Sequence, residues 1–364
     1  MFKITATDGK ARAGLLHTAH GEIETPFFMP VATKAAFKWV SLAECSAAEI
    51  DCFIANAYLL SLQPGLDVIK KAGGLHSFMN WGKGIFTDSG GFQVLSEEFL
   101  LKINDNGVFF RNPFDKSRSF LSPEKCIEIQ NALGSDVAMC LDDVPLYGSN
   151  AKRIAESAAR TFQWAKRCRE AHKSKKQLLF GICQGGTIEK LRRKSTEQIS
   201  SIDFDGVALG GLCIGEQKQK MLRMVSLSNK IIPKEKPRYL MGVGSPAELL
   251  QCIALGIDVF DSCFPTRTAR HGLAFTEKGN IDVCKSAFKL DFRQLDEKCK
   301  CPVCTQHSRA YLHHLFKVKE ENSKMLLSVH NLHFTASLVK QAREAIKEGK
   351  FRQLEKRFKQ QNML

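Results

Sequence analysis

Short apolar stretches recur along this chain, and each is followed by a segment suited to an amphipathic helix. They fall at residues 25–31, 52–60, 84–88, 136–142, 178–184, 206–212, 238–243 and 257–264, eight in all. Near-continuous apolar runs alternating with helices predict parallel strands buried on both faces. Eight such units predict an α/β fold of the (β/α)8 TIM-barrel type, with an open doubly wound sheet as the alternative. Some helix starts are legible. Ser122 precedes Pro123 and Glu124, Ser245 precedes Pro246, and Asn150 opens an amphipathic stretch reaching residue 173. Each serine offers a side-chain oxygen to the orphaned amides of a first turn. Between the second and third strands no helix is clear. Beyond residue 291 the pattern changes. Residues 291–304 are charged and rich in cysteine, and 310–359 read as helices dense in Lys and Arg.

In such a barrel, chemistry collects at the carboxyl-terminal ends of the strands. Those ends carry Asn56, Asp88, Asp142, Gln184, Gly211, Met241 and Asp261, with several glycines among them. Asp261 closes the last apolar run and leads into a Pro-punctuated loop bearing Arg267, Arg270 and His271. Arginines there offer planar forks to phosphate. The residue types describe a ligand. A guanine-like base presents N–H donors that one carboxylate accepts in parallel, a role that suits Asp142. Gln184 suits its carbonyl, and backbone amides near Gly211 suit the rest of the polar edge. Phe92 and Met241 suit the faces of a flat ring. Asp88 and Asp261 remain. Paired acids serve chemistry at an anomeric carbon, one attacking and one handling the leaving group's proton.

Charge sharpens this picture. Lys and Arg number 53 against 38 Asp and Glu, a formal net charge of +15. That excess favours a polyanion, nucleic acid above all. No apolar run is long enough to span a membrane, and the first residues carry no export-type apolar core. Thirteen cysteines in such a chain point to a reducing cytoplasm. Three of them, Cys299, Cys301 and Cys304, have the C-x-C-x-x-C spacing of thiolate ligands to one structural zinc ion. A closed tetrahedral site needs a fourth ligand. His307, His313, His314, His330 and His333 are candidates, and spacing does not choose among them.

Taken together, Thr87-Asp88-Ser89-Gly90-Gly91-Phe92-Gln93, Gly181-Ile182-Cys183-Gln184-Gly185-Gly186, Gly210-Gly211-Leu212, Tyr239-Leu240-Met241-Gly242-Val243-Gly244, Phe260-Asp261 with Pro265-Thr266-Arg267, and the cysteine triad resemble the tRNA-guanine transglycosylase (queuine tRNA-ribosyltransferase) family. The resemblance implies a barrel over residues 1–272 with an N-terminal extension. It implies a zinc-binding subdomain over 273–335 and C-terminal helices over 336–364 packing on the barrel. The implied activity replaces guanine at the wobble position of tRNA with GUN anticodons by a 7-deazaguanine base. Asp261 matches the nucleophile and Asp88 the general acid/base. Ser89, Asp142, Gln184, Gly211 and the Leu212 amide match base recognition, and Phe92 and Met241 match the stacking pair. Arg267 and Arg270 match the contact with the anticodon stem-loop, and His330, before Asn331, matches the fourth zinc ligand. No organic cofactor is implied. A homodimer is, because bacterial members pair through the zinc subdomain.

One position departs from the bacterial pattern. Val144 stands where typical bacterial members carry cysteine, which resembles the eukaryotic catalytic subunit that takes queuine itself. Cys213 keeps a bulkier residue where eukaryotic members have glycine. The expectation is queuine over 7-aminomethyl-7-deazaguanine as the incoming base. A non-catalytic RNA-binding subunit is the alternative class, and the presence of both Asp88 and Asp261 argues against it.

Overall fold

A computed structural model describes residues 2–90 and 99–360. Eight parallel strands run in chain order: β1 (Phe27–Pro30), β2 (Cys52–Asn56), β3 (Gly84–Asp88), β4 (Val137–Met139), β5 (Leu178–Cys183), β6 (Gly206–Leu209), β7 (Arg238–Leu240) and β8 (Val259–Ser262). Each pairs with the next from β2 to β8, and β8 returns to β1 with Val259 opposite Phe27. The last seam, between β1 and β2, is bridged at Val31 and Ile54, where the Ala32 amide donates to the Ile54 carbonyl at 2.8 Å. The ring is therefore closed, as the eight apolar runs predict, and the open-sheet alternative is set aside.

The strands carry apolar residues on both faces because each face meets a different core. Inside the ring, Met29, Ile54, Phe86, Met139, Phe180, Tyr239 and Val259 form one cluster. Phe86 sets the packing there, edge-on to Phe180 at 5.6 Å and to Tyr239 at 6.1 Å between centroids. Outside it, Phe53, Ile85, Leu179, Val207 and Phe260 pack against the helices in a second cluster. Burying such side chains contributes roughly 1.5–3 kcal/mol each.

Both expected serine caps are present, and the structure adds a third at Asn150. Ser122 caps Pro123–Leu133, Asn150 caps Ala151–Ala171 and Ser245 caps Pro246–Ala254, each side chain accepting a first-turn amide. The apolar run 52–60 is not all strand. Asn56 accepts the Leu59 amide at 2.7 Å and turns the chain into the helix Ala57–Leu60. Between β2 and β3 the chain then makes only short helical pieces, Leu66–Lys71 and Leu75–Met79 among them.

Additions surround the ring. A three-stranded antiparallel sheet, Phe2–Asp8, Ala11–Thr18 and Gly21–Thr25, closes its amino-terminal mouth. Leu16 and Ile23 plug the interior cluster, and Arg12 anchors the sheet by donating to the buried Asp258 at 2.8 Å. A second antiparallel sheet, Leu100–Asn104, Gly107–Arg111 and Arg118–Leu121, is inserted after β3. The helix Asn322–Lys347 runs continuously from the cysteine-rich segment back to the barrel, through residue 335. Near its end Arg343 donates to the Pro26 carbonyl at 3.0 Å, just ahead of β1. Among the described residues no helix is long and apolar enough to cross a membrane.

Candidate active site

Alternation along the strands explains which residues reach the site. Inward-facing Phe86, Tyr239 and Val259 belong to the interior cluster. Two residues further along each strand, on the same face, come Asp88, Met241 and Asp261. On β5 the inward series Phe180, Ile182 ends in Gln184. Apolar layers fill the barrel and polar groups crown it at the carboxyl-terminal rim.

Asp261 is held on one side. Its Oδ1 accepts the Tyr239 hydroxyl at 2.6 Å and the Gly242 amide at 3.0 Å. Among the described residues, Oδ2 has no hydrogen-bond partner. Burial pushes the acid's pKa up, against both hydrogen bonds. Asp88 accepts the Gly90 amide at 2.9 Å. Burial, with the charges of Asp261 and Asp142 added, pushes it up to about 8. The three carboxylates are thus within electrostatic reach of one another. Asp142 is pushed up to about 7, chiefly by burial, and accepts from Gln184 Nε2 at 2.6 Å. The Gln184 Oε1 on the other side of the amide is buried without a partner among the described residues.

The two adjacent acids 142 and 143 part company. Asp143 is fully buried and clamped by Arg153, at 2.7 Å, and by Arg160, while its amide donates to Thr161 Oγ1 at 3.0 Å. Asp143 is thus structural, and its clamp fixes the turn that presents Asp142.

The glycines at residues 210 and 211 are steric requirements. A methyl on Gly211 would sit 2.2 Å from Gln184 Oε1, and one on Gly210 would sit 2.6 Å from Gln184 Nε2. Gly211 also has φ +64, which side chains disfavour. Arg192 was not singled out by its sequence. It is fully buried, and donates to the carbonyls of Cys183 at 3.0 Å, Gly186 at 3.1 Å and Gly210 at 2.9 Å. It pins together the two loops that carry Gln184 and Gly211. Tyr239 went unassigned as well, although a hydroxyl in an apolar barrel needs an acceptor. Leu212 and Ser89 are buried at the same rim, and Met241 is partly exposed there. Phe92 lies outside the described residues. Asn56 serves its helix cap.

Arg267 is not on a loop, which corrects the sequence reading. Residues Phe264–Ala269 form a short helix directly after β8, with Pro265 in its first turn and Arg270 as its C-cap. Ser262 Oγ accepts the Phe264 amide at 3.0 Å, which starts the turn. Arg267 is exposed and Arg270 half-buried, and among the described residues neither pairs with a carboxylate.

The cysteine triad closes on one histidine. The ligand atoms of Cys299, Cys301, Cys304 and His330 lie within 4.8 Å of one another. His330 Nδ1 is 3.3 Å from Cys304 Sγ, 3.5 Å from Cys301 Sγ and 3.9 Å from Cys299 Sγ. Ligands around a tetrahedral zinc ion would be about 3.6 Å apart, so the donor set fits one metal ion. Its other nitrogen is 2.7 Å from the Phe275 carbonyl, which fixes the ring. Among the remaining candidates His333 reaches only Cys299, at 3.7 Å, His313 bonds the Val283 carbonyl, and His307 stacks on Tyr311. Asn331, next to His330, donates to the Pro265 carbonyl at 3.0 Å and accepts the Phe275 amide at 2.9 Å. One helical step thus links the metal cluster to the arginine-bearing helix.

Sequence comparison agrees with this geometry. The family model described as queuine tRNA-ribosyltransferase matches residues 7–363. A queuine tRNA-ribosyltransferase of Fusobacterium nucleatum is 48% identical over 360 residues, covering 98% of this chain and 96% of that one. One from Halothermothrix orenii is 47% identical over 339 residues, covering 93% and 91%. One from Bacillus velezensis is 47% identical over 347 residues, covering 94% and 91%. With its closed barrel, its ring of three carboxylates and a match along nearly its whole length, this chain belongs to the queuine tRNA-ribosyltransferase family of transferases.

Proposed function

We propose that this protein exchanges guanine at the wobble position of tRNA with GUN anticodons for a 7-deazaguanine base, by double displacement through an enzyme–ribose ester. The observation that carries this reading is the convergence of Asp88, Asp142 and Asp261 on one inner face, with a single oxygen of Asp261 tied down.

The chemistry follows from the hydrogen bonds. Tyr239 and Gly242 hold Asp261 Oδ1, which leaves the Oδ2 lone pair for the ribose C1′. As that C–O bond forms, the bond from C1′ to guanine breaks. Asp88, with its pKa raised to about 8, is protonated at neutral pH and gives its proton to the departing base. The carboxylate it becomes takes the proton from the incoming base, whose nitrogen attacks C1′ and expels Asp261. Two inversions leave the sugar configuration unchanged. Asp142, Gln184 and the Gly211–Leu212 backbone, with Ser89 beside them, read the edge of the base, and Met241 and Phe92 cover its faces. The wobble base must leave the loop stack to enter, which costs little in a single-stranded loop.

Arg267 and Arg270 take the anticodon phosphates. Zinc is the metal that suits three thiolates and one imidazole, and with no open position its role is structural. Residues 1–272 carry the chemistry, 273–335 the metal, and 336–364 brace the barrel. The enzyme works in the cytoplasm as a homodimer and prefers queuine, since Val144 removes the thiol found at that position in typical bacterial members.

Denaturing gel electrophoresis of enzyme with anticodon stem-loop RNA tests the reading. A covalent band that disappears in Asp261→Asn is the expected result. A band persisting in that variant overturns the assignment of the nucleophile. Competition between queuine and 7-aminomethyl-7-deazaguanine tests the base, and a clear preference for the aminomethyl compound refutes that part.

A further inference from the structure

The sheet inserted after β3 has one face for the barrel and one for solvent. Val108, Phe110 and Leu121 are fully buried on the inner face. Phe110 meets Tyr58 edge-on at 4.5 Å, just past the carboxyl end of β2, so the sheet stands at the same rim as the three carboxylates. Its tip is fastened to the helix Ala151–Ala171, where Trp164 Nε1 donates to the Asp105 carbonyl at 2.7 Å and Arg167 to the same carbonyl at 2.9 Å.

On the outer face of a one-sided sheet, polar side chains are the rule. Here the register places Lys102 opposite Phe109 and Phe109 opposite Phe120, a row across all three strands. The adjacent row is Arg111 opposite Arg118. All five are exposed. Phe109 and Phe120 are 38% and 42% exposed, and their rings lie 4.4 Å apart at 37°. Scattered exposed apolar residues are ordinary, but a contacting aromatic pair bordered by cations is not. Among the described residues, neither Arg111 nor Arg118 pairs with a carboxylate.

We propose that this face is a second RNA-binding platform, on which an unpaired base of the tRNA substrate, other than the wobble base, stacks on Phe109 and Phe120. Lys102, Arg111 and Arg118 take the flanking phosphates. Every base has a π-face, so such stacking is tolerant of sequence, and cations beside it match the backbone charge. The alternation that points Phe110 onto Tyr58 points Phe109 to the opposite face, and the packed inner face holds the strand that carries it. The proposal rests on tRNA being the substrate.

The test compares wild type with Phe109→Ser/Phe120→Ser, with Arg111→Ala/Arg118→Ala and with Phe109→Tyr/Phe120→Tyr, using full-length tRNA and radiolabelled guanine exchange. The serine and alanine pairs should raise KM for tRNA by roughly tenfold with kcat and the KM for guanine unchanged. The arginine variant should also lower the slope of log KM against log salt by about 1–2. The tyrosine pair should behave as wild type. An unchanged KM, or a raised KM accompanied by loss of the melting transition or of the dimer in sedimentation, overturns the platform. Failure of wild type to exchange guanine into tRNA would instead sink the parent reading of the site.

Discussion

The Tyr239 hydroxyl stands 2.6 Å from Asp261 Oδ1, and the same oxygen takes the Gly242 amide at 3.0 Å. Tyr239 is fully buried among apolar rings, so its proton has nowhere else to go. The pair fixes which carboxylate oxygen is tied down and which the proposed mechanism turns to the sugar. Tyr239→Phe removes that donor and leaves the packing almost unchanged. Losing one hydrogen bond to a charged group costs about 1.5–3 kcal/mol. Formation of the covalent band should slow by roughly 10- to 100-fold, with guanine affinity unchanged. An unaltered rate in single-turnover quenching would remove Tyr239 from the mechanism.

The three raised carboxylates set the pH profile. In the proposed mechanism Asp142 must be ionised to accept the base, and burial pushes its pKa up to about 7. Below that value base binding should weaken about tenfold per pH unit. Burial raises Asp261 too, which pushes the acid limb the same way. In the same mechanism Asp88 must be protonated to release guanine, and burial pushes its pKa up to about 8. The rate should therefore fall again above that value, giving a narrow bell whose limbs belong to the interacting set. A flat profile from pH 6 to 9 in steady-state exchange would contradict it.

The same burial has a cost in stability. The folded-state pKa of Asp88 is above its unfolded value, so its contribution is fully present below the unfolded pKa near 3.8 and is lost as pH rises through about 8. Asp88→Asn keeps an acceptor for the Gly90 amide and removes the charge. The variant should be inactive yet more stable than wild type at pH 8.5, by about 1–2 kcal/mol, with the gap closing towards pH 4. Thermal unfolding at several pH values measures this, and a variant less stable throughout would show that the acid is not strained by its surroundings.

Removal of the metal should reach the RNA site. Cys301 is fully buried, and its sulfur also caps the helix Pro302–Gln306. Cys301→Ser, or chelation, should abolish metal binding and lower stability by at least ~3 kcal/mol, a Tm fall of roughly 4 °C or more for a chain of this length. Asn331 ties the adjoining turn to Pro265, so affinity for stem-loop RNA should suffer more than affinity for free guanine. Anisotropy and calorimetry on metal-free protein separate the two. Undiminished RNA affinity would mean that the Arg267 helix stands without the cluster.

The barrel was legible because its strands are buried on two faces and so read as unbroken apolar runs. Asp88, Asp142 and Asp261 were legible because carboxylates at the ends of such runs are conspicuous. Other features depend on partners far away in the chain. Arg192 sits in a helix that looks solvated, and only the carbonyls of Cys183, Gly186 and Gly210 explain its burial. The helix Phe264–Ala269 holds two threonines and a proline, which suit a loop, and it is kept by Asn331 from another element. The sequence pattern at 100–121 offered strands too short to stand out beside the barrel runs. The cysteine spacing announced a metal, but spacing did not separate His330 from its neighbours; the family resemblance did, and the helix Asn322–Lys347 delivers it to the three sulfurs.

That long helix touches both ends of the ring. Its Arg343 grips the chain at Pro26, before the first strand, and its Asn331 grips Pro265, after the last. Strands one and eight adjoin, so this brace spans the join where the circle was completed. During synthesis the opening strand must wait, one edge unpaired, until Val259–Ser262 has left the ribosome. Such a closure between distant segments exposes apolar edges for a long time, and the barrel completes its ring only once both ends of that span have been made.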